Sequence, residues 1–238
     1  MEKISPKYKR VLLKLSGEAL VKDTDGILNF EYIESIAKVL KRCVAEGTQI
    51  AVVVGAGNIW RGRQSGKMDR AKADHMGMLA TAINSLALEE AFNEAGLKSR
   101  AMMVMEVNSF ADPYRIRDAR RHLEDGEVVI IGGGTGMPFF STDTAAAIHA
   151  AEIGADVILM AKNIDGVYSA DPKVDPTAFR YDEITYREIL DKELKALDIT
   201  ASAFCMENDI RCYAFELKDP NNIYRVIMGE KIGTELHR

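Results

Sequence analysis

The chain has 238 residues, enough for one large α/β domain with a sizeable core. Hydrophobic residues make up 47% and charged residues 28%, the balance of an ordinary globular protein. A formal net charge of −5 excludes a general basic field for nucleic acid, and no apolar run is long enough to cross a bilayer. Met1 to Pro6 holds no apolar signal core, and Cys43, Cys205 and Cys212 follow no metal or disulfide spacing. The expectation is a cytoplasmic protein with buried free thiols.

Val11 to Leu15 reads as a first buried strand, closed by Ser16-Gly17, with Lys14 near its C-terminal end. A lysine in an apolar strand costs burial energy unless its amine reaches water or meets an anion. Asn29 caps a predicted helix through Glu46, with apolar residues at three- and four-residue steps from Phe30 to Val44 and Gly47 as the stop. Ile50 to Val54 is the second predicted strand. It opens into Gly55-Ala56-Gly57-Asn58-Ile59-Trp60-Arg61-Gly62-Arg63, a glycine loop with two arginines suited to forked phosphate contacts. Trp60 reads as a packing residue. Asp69 or Asp74 starts a long helix to Ala95, with Met76, Leu79, Ile83, Leu86 and Phe92 marking its apolar face. His75 in its first turns has no partner at a telling spacing.

Ser99 to Val104 is a third strand, and Pro113 to Glu124 a helical stretch with a mixed-charge face. Val128 to Ile131 is the fourth. Behind it, Gly132-Gly133-Gly134-Thr135-Gly136 leads to a helix predicted to begin at Thr144 with Thr142 or Asp143 as its cap. Strand, glycine loop and helix N-terminus together form an anion site, because unpaired N–H groups and the helix dipole converge there. Asp156 to Met160 is the fifth strand, followed by a long loop from Ala161 to Pro172. Predicted helices over 183–195 and 200–207, a strand over 210–215, a helix over 221–228 and an edge strand near the C-terminus complete the chain. Neither glycine loop fits a P-loop or a dinucleotide fingerprint. No linker or repeat interrupts the pattern, so residues 1–238 read as one three-layer α/β/α domain with a mainly parallel sheet. Its strand ends gather Lys14, both glycine loops and the Lys162 to Asp171 loop. Two glycine loops at one sheet edge suit two phosphorylated ligands meeting head to head, and phosphoryl transfer between them.

Leu13 to Leu20, Asp74-His75-Met76-Gly77-Met78-Leu79-Ala80-Thr81, Thr135 to Thr142, Asp165 to Pro172 and Met228 to Thr234 together resemble the bacterial uridylate kinases of the amino-acid kinase fold, in order and over nearly the whole chain. The Asp74 block separates that group from carbamate, glutamate and aspartate kinases. The resemblance implies transfer of the γ-phosphoryl group of ATP to UMP in pyrimidine nucleotide (CTP) synthesis. It also implies Mg²⁺ carried on the ATP phosphates, UTP inhibition, a homohexamer, and no nucleic-acid or membrane partner. By the same resemblance Lys14, Arg61 and Asp143 are catalytic, with Asp143 orienting the lysine. ATP binding falls to Lys14, Leu15, Ser16, Gly17, Gly57, Arg61, Lys162, Asn163, Tyr168 and Asp171. UMP binding falls to Ala56, Asp74, Thr135, Gly136, Met137, Pro138, Phe139, Phe140, Ser141 and Thr142. No residue is assigned as a metal ligand.

Three places depart from the family pattern. Ala56 replaces a usual glycine, which permits a backbone contact to UMP only if its φ stays negative. Met137 stands where asparagine is usual. Lys22 to Ile27 replaces a glycine-richer loop tied to GTP activation, which leaves that activation open. The alternative function is a catalytically weak module of the same fold that senses uridine nucleotides.

Overall fold

The computed structural model describes residues 5–21, 24–60, 66–107 and 109–238. Arg61, Gly62 and Arg63 of the second predicted loop, and Lys22 and Asp23, lie outside the described residues.

Strand β1 (Arg10–Leu15) is the centre of the sheet, because its run Val-Leu-Leu can be buried on both faces. It pairs in parallel with β2 (Gln49–Val54) on one side and β6 (Val157–Lys162) on the other. β5 (Val128–Gly132), β3 (Ser99–Met103) and the two-residue β4 (Asp112–Pro113) extend the β2 side. β8 (Cys212–Glu216), β9 (Thr234–His237) and β7 (Glu183–Thr185) extend the other. Among the described residues the nine strands form one sheet, and only the β8–β9 pairing is antiparallel. The predicted α/β class and mainly parallel sheet are therefore observed.

Successive side chains alternate between the two faces, and so do the two cores. Val11, Leu13 and Leu15 pack beneath α1 (Phe30–Ala45), α2 (Arg70–Glu94) and α7 (Asn221–Ile227). Leu12 packs on the opposite side with α3 (Ile116–Glu124), α4 (Thr142–Ile153), α5 (Tyr186–Asp191) and α6 (Ile199–Glu207). Lys14 shares the parity of Leu12, and Lys162 that of Ile158 and Met160. Both lysines thus belong to the α4 face, on neighbouring strands.

Several expectations need correction. Ser141, not Thr142 or Asp143, caps α4: its hydroxyl accepts from the N–H groups of Asp143 and Thr144, so the helix starts at Thr142. Asp69, the first of the two proposed starts, caps α2. The stretch read as one helix from Glu183 opens as strand β7, and helix begins only after Thr185, whose capping box with Glu188 sets the boundary. Helix α3 starts at Ile116, because Asp112 and Pro113 pair with β3. The C-terminal strand is not an edge, since β7 pairs outside it. Met76, Leu79 and Ile83 of the predicted face are exposed, whereas Phe92 is buried as expected; α2 packs through Phe92 and Leu88 together with Ala73, Ala80 and Ala91, and the alanines let it lie close to the sheet.

Candidate active site

The C-terminal end of β1 is pressed against the loop after β2. A Cβ placed on Gly17 would lie 2.5 Å from the Gly55 carbonyl oxygen and 2.7 Å from the Gly57 nitrogen. Only glycine permits that approach. The Gly55 N–H donates to the Leu15 carbonyl at 2.9 Å, and the Gly55 carbonyl accepts from Asn84 Nδ2 at 2.8 Å. Asn58 is held structurally: its Nδ2 lies 2.8 Å from the Ile27 carbonyl and 2.9 Å from Asn84 Oδ1. Ala56 is absent from the left-handed region, so its φ does not bar a backbone contact.

The loop after β5 is shaped by left-handed residues: Gly133 (φ 92°), Gly134 (φ 60°), Gly136 (φ 76°) and, unusually, Phe139 (φ 73°). Phe139 is held there by Asp74, whose Oδ2 accepts its N–H at 2.8 Å and the Arg70 Nε at 2.9 Å. The Gly133 N–H donates to Thr81 Oγ1 at 2.9 Å. Trp60, as expected, packs: it lines the cavity here and donates its indole N–H to the Ala73 carbonyl at 2.9 Å. The loop, the Ala56-Gly57 turn and the first turns of α2 enclose a cavity of about 420 Å³. Of the residues expected to hold UMP, Ala56, Asp74, Thr135, Met137, Phe139, Phe140, Ser141 and Thr142 line it; Gly136 and Pro138 do not. Met137 and Phe139 are 61% and 64% exposed, which leaves an apolar rim facing solvent.

Lys14 and Asp143 meet across the sheet–helix boundary, Nζ to Oδ1 at 2.9 Å. Lys162 reaches the same place. Its ammonium donates to the Ala196 carbonyl, and burial pushes its pKa below the ordinary lysine value; Asp143 opposes that shift and Lys14 adds to it. Two ammonium groups flanking one carboxylate make a locally positive spot beside the N-terminus of α4.

Asn163 lines a smaller cavity of about 290 Å³ with Tyr32 and Leu217; Glu18 lines both cavities and marks where they adjoin. Of the other expected ATP contacts, the Leu15 side chain is wholly buried in the core and its carbonyl is taken by Gly55. Tyr168 donates its hydroxyl to Asp165 at 2.9 Å and bridges to Arg180, while Asp171 caps an exposed turn through Lys173 N. Arg61 is outside the described residues.

Sequence reasoning missed Asp198. Its carboxylate caps α6 through Ala201 N at 2.8 Å and accepts the hydroxyls of Ser141 and Thr144, tying α6 to the start of α4. Its position before Ile-Thr-Ala is a helix-start signal, but nothing in the sequence says that α6 abuts the glycine loop.

Residues 9–215 match the model of the amino acid kinase family. Among solved structures, a UMP kinase from Bacillus anthracis is 35% identical, with a TM-score of 0.93 over 97% of this chain and 96% of that one. A UMP kinase from Ureaplasma parvum is 36% identical, with a TM-score of 0.92 over 98% and 100%. A uridylate kinase from Archaeoglobus fulgidus is 30% identical, with a TM-score of 0.72 over 95% and 99%.

Proposed function

Because the chain belongs to the amino acid kinase family, we propose that it transfers the γ-phosphoryl group of ATP to UMP, giving ADP and UDP. The observation that carries this reading is the seam at Gly17: the turn after β1 and the glycine loop after the neighbouring β2 touch there, with the Lys14–Asp143 pair behind them. A UMP phosphate is a ready nucleophile near neutral pH, so the reaction needs positioning and charge neutralisation rather than a general base.

In this reading UMP occupies the 420 Å³ cavity, with its phosphate towards Gly57 and the first turn of α4. ATP lies over the C-terminal ends of β1, β6 and β8, with Ser16, Gly17, Asn163, Tyr168 and Asp171 around it. Lys14 and Lys162 neutralise the charge that develops on the moving phosphoryl group, and Asp143 holds Lys14 in place. Arg61 is assigned the clamp beside the transferred phosphoryl group. Asp143 is already engaged by Lys14, so these residues fit a Mg²⁺ held by phosphate oxygens and water rather than by a protein cage. When bound, Mg²⁺ would add positive charge that offsets that of the nucleotide phosphates.

All 238 residues are assigned to one kinase domain acting in the cytoplasm; no helix among the described residues is long and apolar enough to cross a membrane. Met76, Leu79 and Ile83 form an exposed apolar stripe on α2, which we assign to contact with a second copy in a homohexamer. Inhibition by UTP belongs to the same proposal.

A coupled assay with ATP, Mg²⁺ and each of UMP, CMP, AMP and GMP tests it. UDP formation with a clear preference for UMP is expected. Equal rates with all four would remove the specificity, and nucleotide binding without turnover would favour the sensing module.

A further inference from the structure

His149 is buried behind the acceptor loop and has no part in the chemistry above. Its side chain is 4% exposed. Ring Nδ1 lies 2.8 Å from Glu152 Oε2, and Nε2 lies 2.9 Å from the Gly134 carbonyl oxygen. Neither a carboxylate nor a carbonyl has a proton to give. A neutral imidazole donates from one nitrogen only and would turn a lone pair on one of these oxygens. The doubly protonated ring satisfies both.

The opposite arrangement, a protonated Glu152 donating to a neutral ring, fits poorly. The same Oε2 also accepts the Tyr114 hydroxyl at 2.9 Å. The hydrogen bond from His149 holds the Glu152 carboxyl below the usual range, against the effect of burial and with help from Tyr114. Tyr114 also closes over the imidazole edge-on, with centroids 4.9 Å apart. Arg120 of α3 binds the Glu152 backbone carbonyl at 2.9 Å through Nε.

We infer that His149 is a positioning residue: it carries both ring protons, is fixed by Glu152 and Tyr114, and holds the acceptor loop in its working shape through the Gly134 carbonyl. Gly134 lines the acceptor cavity and sits between two other left-handed glycines, a stretch with little conformational preference of its own. Its flanks are pinned from two helices, by Thr81 of α2 on the Gly133 N–H and by His149 of α4 on the Gly134 carbonyl. The loop is ordered before the nucleotide arrives, so binding does not bear that entropy. This inference rests on the acceptor-site reading above.

The test combines the wild-type full chain with variants. In ¹⁵N-histidine spectra, His149 should show two protonated ring nitrogens at neutral pH. Glu152→Gln should convert it to a ring with one. His149→Phe keeps a ring without donors, and should raise the KM for UMP by about tenfold or more with the KM for ATP unchanged. His149→Arg, which again offers more than one N–H donor, should bring the UMP KM back to within about threefold of wild type. A singly protonated wild-type ring would overturn the inference, as would unchanged UMP KM in His149→Phe. If His149→Phe does not fold, the wild-type and Glu152→Gln spectra still decide the proton count. Hydrogen exchange at the Gly134 and Thr135 amides reads the loop without UMP. Faster exchange in the Glu152→Gln chain supports the anchor, and unchanged exchange refutes it. Absence of any UMP turnover in the wild type would instead strike the proposed function.

Discussion

Gly17→Ala tests whether the seam between the two loops sets the alignment of the reacting phosphates. The added Cβ would lie 2.5 Å from the Gly55 carbonyl oxygen and Asn58 Oδ1 and 2.7 Å from the Gly57 nitrogen, whereas ordinary contact begins at 3.4 Å. Two of the three obstacles are backbone, and the third, Asn58, is tied to Asn84 at 2.8 Å, so no rotamer change relieves the clash. The loops must part by about 0.9 Å, the gap between 2.5 and 3.4 Å. Overpacking of this kind costs about 1–3 kcal/mol of stability. A misplacement of about 1 Å between reacting groups costs about a hundredfold in rate. The coupled UMP assay should therefore show kcat down by about two orders of magnitude, beside urea melts that show the chain still folded. Gly47→Ala is the control. Its φ is 98°, so alanine is strained there, but nothing lies within 4 Å of the new Cβ. It should lose about 1 kcal/mol of stability at unchanged kcat. A folded Gly17→Ala enzyme with kcat and both KM values within about threefold of wild type would refute the alignment argument.

Lys14→Ala should cut kcat by orders of magnitude while UMP binding by calorimetry stays close to wild type, since a contact made in the transition state is lost. Asp198→Ala removes the acceptor shared by Ser141, Thr144 and the α6 cap; denaturant unfolding should show a loss of about 2–3 kcal/mol, and the KM for UMP should rise. Lys162→Met should abolish most activity yet stabilise the chain at neutral pH, because folding lowers the pKa of this lysine and so disfavours its charged form. The unfolded state then binds more protons over the window just below 10.5, wild-type stability rises with pH there, and the gap to Lys162→Met narrows as pH approaches 10.5. Leu79→Asp, on the exposed face of α2, should lower the oligomeric state seen by sedimentation without unfolding the subunit.

The central strands were legible because burial on both faces demands an uninterrupted apolar run, and β1, β2, β5 and β6 all carry one. The glycine loops were legible for a related reason: close approach and positive φ leave few residue choices. What escaped was set by partners distant in sequence. β7 is three residues long and exists because β9 pairs with it, a fact no local window contains. On α2 the predicted apolar face splits: Met76, Leu79 and Ile83 in its first half face out, while Phe92 packs inward beside Leu88 and the alanines, a change that periodicity alone does not contain. Ser141 lost the cap position to its neighbours in the reading because Ser, Thr and Asp are near-equal caps, and Asp198, 57 residues away, fixes the choice. Lys14 was singled out correctly as anomalous, but only strand parity against Leu12 tells which helix it faces.

One feature of the acceptor loop runs against first intuition. A cavity meant for a phosphate is braced by carboxylates: Asp74 holds Phe139, Asp198 holds Ser141 and Glu152 fixes the histidine on Gly134. Left bare, these acids would repel the ligand, and the chain already carries a net charge of −5. Each is instead matched locally: Asp74 by Arg70, Glu152 by His149, and Asp198 by the N-terminus of α6 together with two hydroxyls. A carboxylate holds an N–H or O–H more strongly than a neutral acceptor does, so the same groups stiffen the loop. Their charge is largely cancelled within a few ångströms, whereas Lys14 and Lys162 both face one carboxylate, Asp143, at the end of the sheet. The loop thus obtains rigidity from anions without becoming an anionic site, and the two lysines stand at the strand ends beside it.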